Sequence, residues 1–135
     1  MQLRDERYVE RETVIEASPD EVWEALTDED RLREWIAPEV ELDPVEGGDL
    51  LVRDDDGERP GTVETVEEGE RFAFTWERPG EGESLVEFTI EAVPDGTRVV
   101  VVETATSPTG PLASATADWG PALGRLHRAL SLVFA

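Results

Sequence analysis

The sequence has 135 residues, 39% of them hydrophobic and 33% charged, with 33 acidic residues against 12 basic ones and a formal net charge of -21. That length predicts a single domain over residues 1–135 with enough core to need no staples, and argues against a repeat array or a two-domain enzyme. The absence of cysteine excludes disulfides, thiolate metal sites and cysteine nucleophiles, while the acidic field disfavours nucleic acid and membrane surfaces as partners.

Residues 8–17 alternate charged with apolar or threonine side chains and predict a first strand with one wet face. Ser18, Pro19 and Glu21 then supply a capping serine, a proline at the first helical position and a glutamate three residues after the cap. A helix over about residues 19–26 follows. Asp28 is placed to cap a second short helix running through Leu32, Trp35 and Ile36, which Pro38 ends.

Beyond Val40 the pattern changes to short runs at 49–53, 62–66, 71–76, 84–92 and 97–104, separated by turn residues at 47–48, 54–61, 68–69, 79–82 and 94–96. With the first strand this predicts an antiparallel meander of about six strands. A period of two turns Leu50, Val52, Phe72, Phe74, Trp76, Val86, Phe88 and Ile90 inward, and Glu87, Thr89 and Glu91 outward. Val99 to Val102 are apolar at every position, and the parity adopted here turns Val99, Val101 and Glu103 inward.

Residues 107–116 are rich in Ser, Thr, Pro and Gly and predict a loop. Trp119, Leu123, Leu126, Leu130 and Val133 then recur at helical spacing, with Ala122, Ala129 and Phe134 widening the stripe. Proline is tolerated in a first turn, so Pro121 places the helix start near Asp118, with Asp118 as its cap. Residues 104–135 carry only Asp118, Arg125 and Arg128 as charges, so this segment is expected to be buried. Gly120 and Gly124 either allow close approach to the sheet or are local weaknesses in the helix. An open sheet with one apolar face needs a cover, and this helix is the element able to supply it.

The order of strand, two short helices, meander and long terminal helix resembles the helix-grip, START-like α+β fold shared with the birch-pollen-allergen group. Residues 17–27, Ala-Ser-Pro-Asp-Glu-Val-Trp-Glu-Ala-Leu-Thr, followed by Trp35-Ile36-Ala37-Pro38, resemble the opening signature of SRPBCC proteins of the heat-shock-protein-90 ATPase activator-homologue type. Gly47-Gly48, Phe72 to Trp76, Gly96 to Val99 and Trp119-Gly120 extend the likeness over nearly the whole chain. The resemblance implies a cavity between helix and sheet for a hydrophobic or amphipathic small molecule, with polyketide cyclases, lipid carriers and co-chaperone domains among the relatives. The last strand of such proteins often ends in a histidine near the position where Glu103 stands here.

The residues expected to line that cavity are Trp35, Phe74, Trp76, Phe88, Val101, Glu103, Trp119, Leu123 and His127. For the tryptophans the alternative is simple core. An inward Glu103 is driven towards its protonated form unless an arginine or a ligand donor meets it; with shifted parity it is solvated. His127, the one histidine, flanks the apolar stripe and is either a helix-flank residue or a proton-transfer group. Residues 54–58, Asp-Asp-Asp-Gly-Glu, lack the alternating ligand spacing of a calcium loop and are expected to form a solvated turn. No metal site, cofactor motif or catalytic constellation is expected.

The leading functional expectation is a carrier, sensor or sequestering module for a hydrophobic small molecule. The alternatives are a co-chaperone-like module that meets a protein partner through its acidic sheet face, and a cyclase or dehydratase using Glu103 or His127. Runs such as Val99 to Val102 are too short to span a bilayer and residues 1–11 are charged, so a cytoplasmic protein, monomer or homodimer, is expected.

Overall fold

The computed structural model describes residues 8–106 and 113–131. Strand β1 (Tyr8–Ile15) leads into helices α1 (Pro19–Thr27) and α2 (Glu29–Leu32). Six further strands follow: β2 (Glu39–Leu42), β3 (Asp49–Asp54), β4 (Gly57–Glu67), β5 (Arg71–Arg78), β6 (Gly82–Val93) and β7 (Gly96–Ala105). Helix α3 (Ala113–Ser131) closes the described chain. The seven strands form one antiparallel sheet in the order β1-β7-β6-β5-β4-β3-β2, and α3 lies on its inner face beside β1. This is the helix-grip architecture.

Local chemistry sets the helix boundaries. Ser18 Oγ accepts from the Glu21 amide at 3.2 Å while the Glu21 carboxylate accepts from the Ser18 amide at 3.2 Å, closing a capping box ahead of Pro19. Asp28 ends α1 through its own amide and caps α2 by accepting from the Asp30 and Arg31 amides. Ser18→Ala is therefore expected to cost about 1 kcal/mol in urea denaturation, with Ser18→Gly costing less.

The strand faces follow the period of two. Val9, Leu50, Val52, Phe72, Phe74, Trp76, Val86, Phe88, Val99 and Val101 are buried in one core with Ala115, Trp119, Leu123, Leu126 and Leu130 of α3. Ile90 is only half-buried, while Thr89 and Glu91 are exposed and Glu87 is half-buried on the opposite face.

Five expectations need correction. α2 ends at Leu32, and residues 33–36, expected to continue it to Ile36, form turns instead. The sheet has seven strands because residues 39–42 pair with β3 at the edge; four residues with one buried side chain, Val40, carry too little period to be recognised. β4 begins at Gly57, inside the stretch assigned to a turn. Pro60 fits there because β5 pairs with β4 only from Gly61 onward, so no ladder bond is lost on that side. α3 begins at Ala113, so Pro121 lies within it and Asp118 is not its cap. Pro121 and Ala117, whose carbonyl loses its amide partner, both face solvent, and water can satisfy that carbonyl. Gly120 and Gly124 are not close-approach points: a Cβ at Gly120 meets nothing, and one at Gly124 meets only the tip of Arg128. The expected stripe positions Val133 and Phe134, and most of the 107–116 loop, lie outside the described residues.

Candidate functional site

The inward parity of β5 runs Phe72, Phe74, Trp76 and then Arg78, which carries a guanidinium into the open end of the grip. β7 supplies Glu103 to the same place, fully buried. Its carboxylate accepts from Arg78 Nε at 2.7 Å and Nη2 at 2.9 Å, from the Trp76 indole at 3.0 Å, from the Trp119 indole at 2.7 Å and from the Ser84 hydroxyl. Two oxygens offer about four acceptor sites, so five donors leave no capacity for a sixth. Glu103 thus ties β5, β6, β7 and α3 together.

Burial alone would raise the Glu103 pKa, but the Arg78 bonds and charge, with the Ser84 and Trp76 donors, outweigh it and the net direction is down. Burial likewise works against the charged form of Arg78, and the bonds and charges of Glu103 and Asp118 overcome it, raising its pKa. The pair is ionised, which answers the two sequence readings: the glutamate is inward, and an arginine keeps it charged. A saturated, ionised carboxylate is not a proton-transfer group.

Above this knot lies a cleft of about 90 Å³. Trp76 and Trp119 border it, each only 2% exposed, and stack on each other with ring centres 6.1 Å apart and planes 21° from parallel. Ile36 and Ala122 add apolar wall; Asp54, Asp56, Asp118, Arg59, Arg78 and Arg125 supply the charges. Arg59 lies 5.0 Å over the Trp76 ring and bonds Asp54 at 2.9 Å, with Asp118 at 3.7 Å. Asp118 bonds Arg78 Nη1 at 2.9 Å. Arg59 Nε is buried and has no hydrogen-bond partner among the described residues. Arg125 donates its Nε to the Trp35 carbonyl at 2.9 Å, which fixes α3 against the turn after α2.

The structure divides the expected cavity residues. Trp76 and Trp119 line the cleft and Glu103 lies beneath it. Trp35 gives its indole N–H to the Ala25 carbonyl, packs edge-on against Phe88 and borders a neighbouring basin. Phe74 and Phe88 are interior: Phe74 meets Trp76 at 5.2 Å and Phe88 meets Trp119 at 5.6 Å. Val101 and Leu123 are buried core, and His127 is half-buried on α3, away from the cleft lining. Sequence reasoning missed Arg59, Arg78, Arg125, Ser84, Asp54 and Asp118 as site residues. Extending the β5 period by one step to Arg78, opposite an inward Glu103, would have found the central pair.

Residues 16–131 match the family described as Activator of Hsp90 ATPase homolog 1-like protein. No curated protein matches the chain. Among solved structures, protein MLL2253 from Mesorhizobium loti is 24% identical with a TM-score of 0.86, covering 96% of this chain and 100% of that one. The Aha1 dimer from Colwellia psychrerythraea is 20% identical with a TM-score of 0.81, covering 95% and 98%. DynU16, a putative protein in the dynemicin biosynthetic locus, is 30% identical with a TM-score of 0.79; the match covers 93% of this chain and 47% of that one.

Proposed function

The chain belongs to the Activator of Hsp90 ATPase homolog 1-like family, and from that premise we propose that it acts as one START-like domain that binds a small amphipathic molecule, as carrier or sensor. The carrying observation is the buried Arg59 Nε, a donor without an acceptor beside a stacked pair of indoles in an open cleft. A buried unmet donor costs about 1 to 3 kcal/mol, and a ligand acceptor at that point would recover it.

We put the ligand at the mouth of the grip, rather than in the expected cavity between helix and sheet, because the interior is filled by aromatic rings in mutual contact. The cleft alone is smaller than the usual ligand site of roughly 300 to 1,000 Å³, so the molecule extends into the basins beside it. The 30% identity to a protein from a biosynthetic locus supports a small-molecule role.

Native mass spectrometry of the isolated protein, followed by tryptophan-fluorescence titration with the neutral naphthyl ketone prodan, whose carbonyl can accept from Arg59, tests this. The expected result is saturable quenching that Arg59→Met weakens. Unaltered fluorescence with this and every other hydrophobic or amphipathic probe contradicts it.

A second reading, a co-chaperone-like protein module, draws on the family itself and on the net charge of -21. A chaperone complex that survives near-physiological salt would support it, whereas loss at modest ionic strength would mark nonspecific charge attraction.

A further inference from the structure

The cleft is flanked by two basins. It shares Ile36, Asp54 and Arg125 with a basin of about 350 Å³ on the α2 side, and Asp56 and Arg78 with a basin of about 300 Å³ at the β5–β6 turn. The two flanks differ in the charges they leave unmatched.

On the α2 side, Arg33 is bonded to Asp30 and to the Val40 carbonyl, Glu34 faces Arg31 at 3.8 Å, and Asp54 is bonded to Arg59. Arg125 commits only its Nε, and its two terminal nitrogens have no partner among the described residues. At the other end Glu58 is bonded to Arg53 at 2.7 Å and Arg78 is held by Glu103 and Asp118. The Asp56 carboxylate there is exposed and has no side-chain partner among the described residues, while Glu77 points to the outer face of the sheet. An uncommitted cation thus stands on one side of the cleft, an uncommitted carboxylate on the other, and the Trp76–Trp119 stack between them.

Building on the ligand-binding role proposed for the cleft, we propose that the cleft and its flanks take a zwitterionic amphiphile: an anionic group at Arg125, an apolar body beside the edges of the indoles and a cationic group at Asp56. Overall charge agrees with this choice. A protein of net charge -21 repels a simple anion and draws in any cation. A ligand that also satisfies Arg125 must therefore bring its own positive end.

The test uses an aminomethyl naphthoic acid, its methyl ester and its N-acetyl derivative, which share a ring and present a zwitterion, a cation and an anion. Affinities are read by titration calorimetry. The zwitterion is expected to bind about threefold to fivefold more tightly than either singly charged form, the worth of a partly exposed charge pair. Arg125→Met is expected to remove its advantage over the ester, Arg125→Lys to retain it, and Asp56→Asn to remove its advantage over the N-acetyl form. An ester that binds as well as the zwitterion, or three equal affinities, overturns this inference while leaving the cleft a ligand site. Binding by none of the three overturns both.

Discussion

Glu103→Ala is expected to lower the unfolding free energy by about 3 to 5 kcal/mol, the usual cost of leaving one member of a buried ion pair without its partner. The variant leaves Arg78 with only the partly exposed Asp118 as counter-charge and removes the acceptor of the Trp76 and Trp119 indoles and the Ser84 hydroxyl. For a chain of this length that corresponds to a melting temperature lower by roughly 10 to 20 °C. Glu103→Gln is expected to cost nearly as much, because either placement of its amide nitrogen turns a donor towards at least two donors. Arg78→Met combined with Glu103→Leu is expected to lose less than the two single changes added together, since no uncompensated buried charge remains.

The effect has a pH signature. The Glu103 pKa is held below the usual 4.5, so its ionised form stabilises the fold above the unfolded-state value, and that contribution is lost as pH falls through the folded-state value. The stability gap between the wild type and Glu103→Gln is therefore expected to be full near neutrality and to narrow in acid. A gap that widens on acidification would contradict an ionised Glu103.

Trp119→Ala is expected to cost about 3 to 5 kcal/mol and to abolish ligand quenching together. The ring is buried, stacks on Trp76, meets Phe88 edge-on and donates to Glu103 at 2.7 Å. Trp119→Phe separates these contributions: it keeps most of the packing and loses one bond to a charged acceptor, an expected cost of about 1.5 to 3 kcal/mol by chemical denaturation. Equal losses from the two substitutions would show that the indole's bond, rather than its bulk, holds α3 to the sheet.

Much of the fold was legible because local signals and global pattern agree. The Ser18 box, the Asp28 cap and the alternation of Phe72, Phe74 and Trp76 each follow from a few adjacent residues, and the structure shows them in place. What failed was non-local. β2 exists because β3 offers an edge, and α3 runs through Pro121 because Ala115 and Trp119 on its buried side anchor the turn before it. Both are cases of tertiary contacts overriding local preference. The site was less legible than the fold. Aromatic residues announce an inner face by their period, whereas the charges that matter, Arg59, Arg78, Asp118 and Arg125, come from three elements and gain meaning only from one another. In a chain with 45 charged side chains among its 33 acidic and 12 basic residues, such partners do not stand out.

The central claim is that a ligand sits beside the Trp76–Trp119 stack at the mouth of the grip. Proton–nitrogen NMR of the four indole groups during ligand titration tests it most directly, because Trp23 packs away from the cleft against Phe72 and serves as an internal control. The account predicts saturable shifts for the Trp76 and Trp119 indole signals with Trp23 unmoved. Saturable shifts centred on Trp23, or none at any indole when a ligand is bound, would contradict it.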